Sequence, residues 1–248
     1  TLHQKYLLLY RPNQKLLTID SWIIHISFNL FLPFMEAIKS GFNSIVYKLN
    51  NGLIGHKFDE DDEGEYRFLY RRLADEMGVK TPPIISRNSE DFSLISEEAS
   101  GAQLSENPEL MGHDEVKKEY WDIVNKLHEF EVNKAGRQME RSLEEYVRDR
   151  FSKIEDSVDP SLFEDDIVYC HRDLNPSNLF FDEGLEVIDF GSALFGPRHY
   201  DLAIHANLAD RYDLGDHEDL YRHSVDESLL EEWRVFDAER TIQWARQQ

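Results

Sequence analysis

Residues 171–178 read His-Arg-Asp-Leu-Asn-Pro-Ser-Asn, and residues 189–191 read Asp-Phe-Gly after ten intervening residues. The first run follows a short apolar segment that predicts a buried strand. Asp173 falls in a loop that a proline interrupts, Asn178 comes where the next strand is predicted to begin, and Asp189 ends the strand after that. We expect these strand ends, on one edge of a small sheet, to place the three side chains together.

An aspartate, an asparagine and a second aspartate that converge in this way suit phosphoryl transfer. One carboxylate can accept the proton of an attacking hydroxyl group, while an amide oxygen and the other carboxylate hold Mg²⁺, which prefers hard oxygen ligands. Upstream, Lys57 would neutralise nucleotide phosphates. A lone aspartate is ordinarily a solvated loop residue or a helix cap, so the prediction depends on the three residues occurring jointly.

The two runs resemble the motifs of the protein-kinase-like superfamily. The continuation over residues 196–203, Gly-Pro-Arg-His-Tyr-Asp-Leu-Ala, is similar to the aminoglycoside phosphotransferase/choline kinase branch. Residues 41–44 with the downstream Lys57 resemble the reduced nucleotide loop of that branch, residues 127–128 its Leu-His helix signature, and residues 96–101 its hinge. These shorter matches are individually weak, whereas the block around the catalytic loop is specific.

The resemblance implies a role for each matching residue of the catalytic loop. Asp173 is the catalytic base, and Asn178 and Asp189 are the metal ligands. Asp201 corresponds to an aspartate at a helix start that braces the catalytic loop, so its implied role is structural. The implied cofactors are ATP, with GTP as an open alternative, and Mg²⁺.

For the nucleotide, the resemblance implies that Lys57 pairs the phosphates and that Glu65, at the start of a helix, orients the lysine. Glu63 is the alternative partner, because an acidic run blurs the alignment. An ordinary first-turn acid, favoured by the helix dipole, is the simpler interpretation of Glu65. Backbone groups of Glu97 to Ala99 would hold the adenine.

The chain departs from the family pattern in its glycine-rich loop. Only Gly41 lies before the first predicted strand of this region, so we expect the phosphate grip to depend on Asn43, Ser44 and their backbone. Three residues near the motifs have simpler interpretations: His128 as a packed helix residue, His171 as a hydrogen-bond partner of the loop backbone, and Cys170 as an inert packing residue.

The order of predicted elements indicates an α+β, two-lobed protein-kinase-like fold, with a small antiparallel sheet followed by a mainly helical lobe. We expect a nucleotide-binding N-lobe over residues 36–100, a hinge at residues 96–101 and a helical C-lobe with the substrate pocket over residues 101–248. Residues 1–35 would be an N-terminal extension, either packed on the domain or upstream of the true start, for which Met35 is the candidate. The C-terminal helices end early for the family, so the substrate wall is expected to be incomplete or the sequence truncated.

The pattern of apolar residues predicts strands in some segments and helices in others. Predicted strands are residues 45–49, 53–58, 84–85, 92–95, 167–170, 179–181 and 186–188. Apolar residues at helical spacing predict helices around residues 66–77, 116–130 and 139–154, and again over the tail from residue 202. The acidic run at residues 59–63 is expected to be a solvated loop.

The composition excludes several classes of protein. The 248 residues are 41% hydrophobic, and 27 basic against 49 acidic residues give a net charge of −22, which argues against binding to duplex nucleic acid. An acidic surface with few lysines is typical of salt-adapted proteins, and recruitment of a cationic substrate is the alternative interpretation. With Cys170 as the only cysteine, an intramolecular disulfide is excluded, and we expect a reducing, cytoplasmic location.

Residues 16–35 are mostly apolar and approach the length of a membrane span. Asp20, His25, Asn29 and Pro33 count against a span, and no small-residue cleavage pattern follows that would indicate a signal peptide. The preferred interpretation is a strand or helix packed on the domain, or a segment upstream of the true start.

Together these features predict an ATP- and Mg²⁺-dependent phosphotransferase that acts on a hydroxyl group of a small molecule, such as an aminoglycoside, an amino alcohol or another metabolite. Only residues 192–195 separate the Asp-Phe-Gly motif from Gly196, which leaves no length for the segment on which peptides dock in protein kinases. A protein serine/threonine kinase and a nucleotide-binding pseudokinase that regulates a partner are the competing hypotheses.

Overall fold

The computed structural model describes residues 37–40, 44–49, 52–58, 61–88, 93–130 and 165–247. The predicted N-terminal extension and the apolar stripe at residues 139–154 lie outside the described residues. The chain divides into two compact units, which consist of Thr1–Gly64 with Pro83–Glu98 and of Glu65–Pro82 with Ala99–Gln248.

The first unit contains a five-stranded sheet, and its neighbouring strands are antiparallel. Its strands are β1 (Ala37–Ser40), β2 (Ser44–Lys48), β3 (Leu53–Phe58), β4 (Ile84–Asn88) and β5 (Ser93–Glu97). The strand order is β1-β2-β3-β5-β4, so β3 lies at the centre. The hairpin predicted between β2 and β3 is present, and Gly52 adopts a φ of 70° that favours glycine. The four strands predicted in this region are therefore confirmed.

A helix, α1 (Asp61–Glu76), follows the sheet strand β3 and ends before Gly78, which has a φ of 79° as a helix-terminating glycine often does. The prediction of a loop over the acidic run is wrong for residues 61–63, because the helix begins at Asp61. Acidic side chains are favoured near a helix N-terminus, where they meet unpaired N–H groups. Glu65 is consequently the fifth residue of α1 and not a residue of its first turn.

The second unit combines short strands with helices. Its strands are β6 (Ala102–Gln103), β7 (Ile167–Cys170), β8 (Leu179–Phe181), β9 (Leu185–Val187) and β10 (Leu194–Pro197). Its helices are the C-terminal part of α1, α2 (Asp114–His128), α3 (Arg198–Tyr212), α4 (His217–Leu220) and α5 (Glu227–Gln247). The predicted pairing of β8 with β9 across a turn is confirmed.

The core of this unit is built on the apolar stripe of α2. Val116, Tyr120 and Leu127 are fully buried, as the helical spacing predicts, and Trp121 beside them is also buried. The indole N–H of Trp121 donates to the carbonyl of Leu214 at 3.1 Å. This hydrogen bond satisfies the one polar atom of the Trp121 side chain.

Two features of the second unit differ from expectation. The sequence pattern did not predict β10, which pairs antiparallel with β7 from Leu194 opposite Cys170 to Pro197 opposite Ile167. The helical tail is interrupted after α3, where Asp213 and Gly215 both take positive φ values. No helix within the described residues is long and apolar enough to cross a membrane.

Candidate active site

The loop after β7 holds Asp173 through its own side-chain hydrogen bonds. Asn175 caps the 3-10 turn Pro176–Asn178, because its Oδ1 accepts from the backbone N–H of Ser177 at 2.9 Å. The Nδ2 of Asn175 donates to Oδ1 of Asp173 at 2.5 Å. The sequence Asp-Leu-Asn-Pro-Ser-Asn therefore forms a turn that fixes the carboxylate locally.

Asn178 connects this carboxylate to the next part of the site. Its Nδ2 donates to Oδ2 of Asp173 at 3.0 Å and to the Asp173 carbonyl at 2.9 Å. Its own carbonyl accepts from the N–H of Ile188 at 3.0 Å, and Ile188 directly precedes Asp189. The structure thus brings the three predicted catalytic-loop residues together, two by side-chain contact and the third through the adjacent backbone.

Asp189 lies at the start of the 3-10 turn Phe190–Ser192 with a left-handed φ of 59°, which is uncommon outside glycine. Its Oδ1 accepts from the N–H of Gly191 at 3.2 Å. The same oxygen lies 3.7 Å from Nη1 of Arg67 on α1. Within the described part of the chain, both contacts of this carboxylate fall on Oδ1.

The donor chemistry of these residues fits a hard divalent cation. Asn178 uses its amide nitrogen towards Asp173, which leaves its amide oxygen for another partner. Asp189 keeps Oδ2 outside the hydrogen bond and the ion pair that its Oδ1 makes. Amide and carboxylate oxygens are the ligand types that Mg²⁺ takes in proteins.

Beneath the loop, a buried carboxylate braces the residue before Asp173. Arg172 has a left-handed φ of 66°, and its N–H donates to Oδ1 of Asp201 at 2.9 Å. The Nε2 atoms of His128 and His205 both donate to Oδ2 of Asp201, at 2.9 and 3.0 Å. The contact with Arg172 is the one expected of a helix-start aspartate, and Asp201 is the fourth residue of α3.

The electrostatics of this cluster keep the carboxylate charged and His128 neutral. Burial alone would raise the pKa of Asp201, but His205 and the hydrogen bonds from both histidines hold it well below its usual range. Burial lowers the pKa of His128, against the opposing effect of Asp201. The Nδ1 atom of His128 faces the hydroxyl of Tyr221, and that of His205 faces the hydroxyl of Tyr120. Each imidazole is therefore satisfied on both sides.

Two residues of the preceding segment behave as the sequence suggested. Nδ1 of His171 accepts from the N–H of Asp173 at 3.3 Å, so this histidine does bond the loop backbone. Burial lowers its pKa to about 4, which keeps the ring neutral at physiological pH. Cys170 is fully buried, and burial raises its thiol pKa well above the usual value, as fits an unreactive packing residue.

The predicted nucleotide residues occupy separate places along the chain. Lys57 lies half-buried in the central strand β3, opposite Ile45 of β2 and Ser93 of β5. Glu97 is the exposed last residue of β5. Other members of the predicted set are only partly described: the side chains of Ser44 and Glu65 and all of Asn43 lie outside the described residues. Ala99 begins the second of the two chain segments that form the second unit. The roles of these residues remain predictions.

The sequence interpretation missed a carboxylate in β9. Glu186 is buried, and its Oε2 accepts from the backbone N–H of Ser100 at 2.6 Å and from the Ser100 hydroxyl at 3.1 Å. This pair links the predicted hinge, which includes Ser100, to the strand that leads to Asp189. An acidic residue within a predicted buried strand was the available signal, because such a group needs a partner.

Comparison with known proteins places the chain in a family. The family model described as the phosphotransferase enzyme family, APH, matches residues 66–238. The chain belongs to this family. The prediction of a phosphotransferase enzyme, made from the catalytic-loop motifs, is thereby confirmed. No curated protein matches the chain.

Solved structures of phosphotransferases share the fold. The streptomycin–ATP ternary complex of APH(2″)-IIa has a TM-score of 0.55 and 16% identity, over 90% of this chain and 88% of that one. ADP-bound aminoglycoside phosphotransferase APH(2″)-Ib has a TM-score of 0.56 and 15% identity over 89% of each chain. The macrolide 2′-phosphotransferase MphH from Brachybacterium faecium has a TM-score of 0.55 and 14% identity, over 90% and 93%. The predicted kinase-like α+β fold is confirmed.

Proposed function

We propose that this member of the phosphotransferase family transfers the terminal phosphoryl group of ATP, with Mg²⁺, to a hydroxyl group of a small molecule. The observation that carries the proposal is the loop in which Asn178 and Asn175 hold the Asp173 carboxylate. A carboxylate fixed by amide donors beside a candidate metal position is what an in-line transfer to an alcohol requires.

In this proposal Asp173 accepts the proton of the substrate hydroxyl as the hydroxyl attacks. Asn175 and Asn178 each donate to a different carboxylate oxygen, so the side chain is oriented before substrate arrives. The brace from Asp201 to Arg172 holds the strained residue that precedes Asp173. When bound, Mg²⁺ would neutralise the phosphate oxygens, and Asn178 and Asp189 are the residues that would hold it.

For the nucleotide, we assign Lys57 to the phosphates and Glu65 to orienting that lysine. Asn43 and Ser44 would grip the phosphates, and the backbone of Glu97 to Ala99 would hold the adenine. Support comes from the family membership and from the nucleotides in the similar folds, which are ATP in APH(2″)-IIa and ADP in APH(2″)-Ib.

The acceptor is a small molecule because the chain after the Asp-Phe-Gly motif is short and already paired. Six residues, 192–197, join Gly191 to the start of α3 at Arg198. The last four of them form β10, which is paired with β7 along its whole length. This segment consequently offers no extended platform for a peptide, which supports a small hydroxylated acceptor over a protein.

The charge of the chain suggests which acceptors to test first. A net charge of −22 attracts cationic compounds, so amino alcohols and aminoglycosides precede anionic sugar phosphates in the order of trial. The same acidity is equally well explained by adaptation to salt, and the acceptor panel therefore includes neutral sugars and macrolides.

The test is phosphoryl transfer from labelled ATP with Mg²⁺ to a panel of amino alcohols, aminoglycosides, macrolides, sugars and amino acids, and separately to generic protein substrates. Wild-type protein is compared with Asp173→Asn, which keeps the shape of the side chain but removes the proton acceptor. We expect label on at least one small hydroxyl compound with wild type and not with the variant. Label on proteins alone would favour a protein kinase, and nucleotide binding without transfer would favour a pseudokinase.

A further inference from the structure

Arg67 of α1 contacts the turn that carries Asp189. Arg67 places Nη1 3.7 Å from Oδ1 of Asp189. Its guanidinium also lies flat against Gly191: a Cβ atom at that glycine would come within 2.6 Å of Arg67 Cζ and 2.9 Å of Nη1. The arginine therefore covers the turn at two points, the carboxylate and the backbone two residues later.

The helix that presents Arg67 is held firmly at this point. Tyr70 is almost fully buried, and its carbonyl accepts from the hydroxyl of Tyr169 in β7 at 3.0 Å. One turn after Arg67, Arg71 is 8% exposed and donates to the carbonyl of Pro82. Because residues i and i+4 share a helix face, these contacts fix the face from which Arg67 projects.

The distribution of contacts over the Asp189 carboxylate is the decisive observation. The N–H of Gly191 donates to Oδ1, and Nη1 of Arg67 forms an ion pair with the same oxygen. Asp189 itself has a left-handed backbone, a conformation that is uncommon in residues other than glycine and is supported by surrounding contacts where it occurs. Holding one carboxylate oxygen from two sides orients the other oxygen without occupying it.

We propose that Arg67 is a positioning residue that clamps the Asp189–Gly191 turn through Oδ1, so that Oδ2 is presented to the metal that accompanies the nucleotide. This inference rests on the proposed function of Asp189 as a metal ligand. Arg67 acts through Asp189 and touches neither substrate nor nucleotide in this role. A guanidinium at this place would also compete with the metal for the carboxylate. We expect the gain in metal affinity from orienting Oδ2 to exceed the loss from that competition.

The experiment measures nucleotide affinity by calorimetry at a series of Mg²⁺ concentrations and in EDTA, with a non-hydrolysable ATP analogue as the probe. Arg67→Met removes the clamp. We expect the half-saturating Mg²⁺ concentration to rise about tenfold, the lower end of the effect seen for groups that orient metal ligands. Affinity in EDTA should be unchanged within about twofold. Arg67→Lys keeps the charge and should recover part of the Mg²⁺ response.

A second variant displaces the Arg67 guanidinium without replacing Arg67. In Gly191→Ala, the new Cβ pushes the Arg67 guanidinium away while the 3-10 backbone at this glycine accepts alanine. It should also raise the Mg²⁺ requirement, and the double variant with Arg67→Met should be no worse than Arg67→Met alone, because both act through one contact. Arg72→Met is the matched control, since Arg72 pairs with Glu76 on α1 and should leave the Mg²⁺ response unchanged.

The outcomes distinguish failure of the Arg67 clamp from failure of the proposed function. If wild-type protein shows no Mg²⁺-dependent nucleotide binding, the proposed function itself fails. If wild type responds to Mg²⁺ but Arg67→Met has an equal or lower Mg²⁺ requirement, with a melting temperature like that of the Arg72→Met control, the clamp is wrong and the proposed function stands. A parallel weakening of binding in EDTA would show that Arg67 contacts the nucleotide, which also overturns the positioning role.

Discussion

Replacing Asp201 by alanine should destabilise the fold and disturb the catalytic loop together. The fully buried carboxylate accepts from the Arg172 N–H and from two imidazoles, and all three donors would lose their acceptor. Breaking a buried charged network by removing one partner costs about 3–5 kcal/mol. That is a large fraction of the roughly 5–15 kcal/mol by which a typical domain is stable.

The conservative variant Asp201→Asn separates the two effects. Its amide oxygen can still accept from Arg172, but its amide nitrogen meets the Nε2 atoms of His128 and His205, so at least one imidazole must move its proton to Nδ1. We expect a loss of about 1–3 kcal/mol, the cost of one poorly satisfied buried group. Turnover should fall further in the alanine variant than in the asparagine variant, because only alanine releases Arg172 from its left-handed conformation.

Urea unfolding gives the free energies, and initial rates at a temperature where all variants are folded give the turnover. Asp210→Ala is the control, since Asp210 lies on the same helix α3 and pairs with Arg234 at the surface. A surface pair of this kind contributes about 0–1 kcal/mol. If Asp201→Ala loses no more stability than the control, the buried carboxylate does not brace the loop as its contacts indicate.

Three further predictions follow from the site and the charge. Asp173→Ala should abolish turnover and keep Mg²⁺-nucleotide binding, while Asp189→Ala should lose both; calorimetric titration that shows equal loss in the two variants would contradict this division of roles. Burial lowers the pKa of His171 to about 4, so between about pH 6.5 and pH 4 the unfolded chain binds a proton that the folded protein does not. The stability that the neutral ring contributes is therefore complete above about pH 6.5 and is lost as the pH falls towards 4. In pH-dependent unfolding, wild type should lose about 3 kcal/mol of unfolding free energy relative to His171→Asn over that interval. The melting temperature should rise in molar KCl, because salt screens the repulsion of −22 charges; a flat or falling value argues against salt adaptation.

The catalytic loop was predictable because its residues are close in sequence and its elements are short. Asp173 and Asn178 share one loop, and only the short strands β8 and β9 separate them from Asp189. The apolar runs define the lengths of these strands, so the convergence of the three residues needed no long-range information. The same holds for Gly52 and Gly78, where local chemistry alone favours a turn or a helix end.

The contacts that support the loop come from distant parts of the chain and were not predictable in the same way. Arg67 and Asp189 are on different elements, and nothing in the sequence pattern of α1 distinguishes Arg67 from Arg72 on the same helix. The strand β10 was missed because its pairing with β7 depends on tertiary contact rather than on its own sequence. His205 was overlooked because a histidine at i+4 from an aspartate is common on helix surfaces. Only the burial of Asp201 and His205 makes their hydrogen bond part of the support of the loop.

In the proposed reaction, Asp173 accepts the proton of a small alcohol during phosphorylation by Mg²⁺-ATP. The most direct measurement is the transfer of the labelled terminal phosphoryl group to the small-molecule panel by wild type and by Asp173→Asn, with nucleotide binding of both measured in parallel. We predict label on a small hydroxyl compound for wild type, none for the variant, and similar Mg²⁺-nucleotide affinities. Label on proteins only, or undiminished transfer by Asp173→Asn, would contradict the claim.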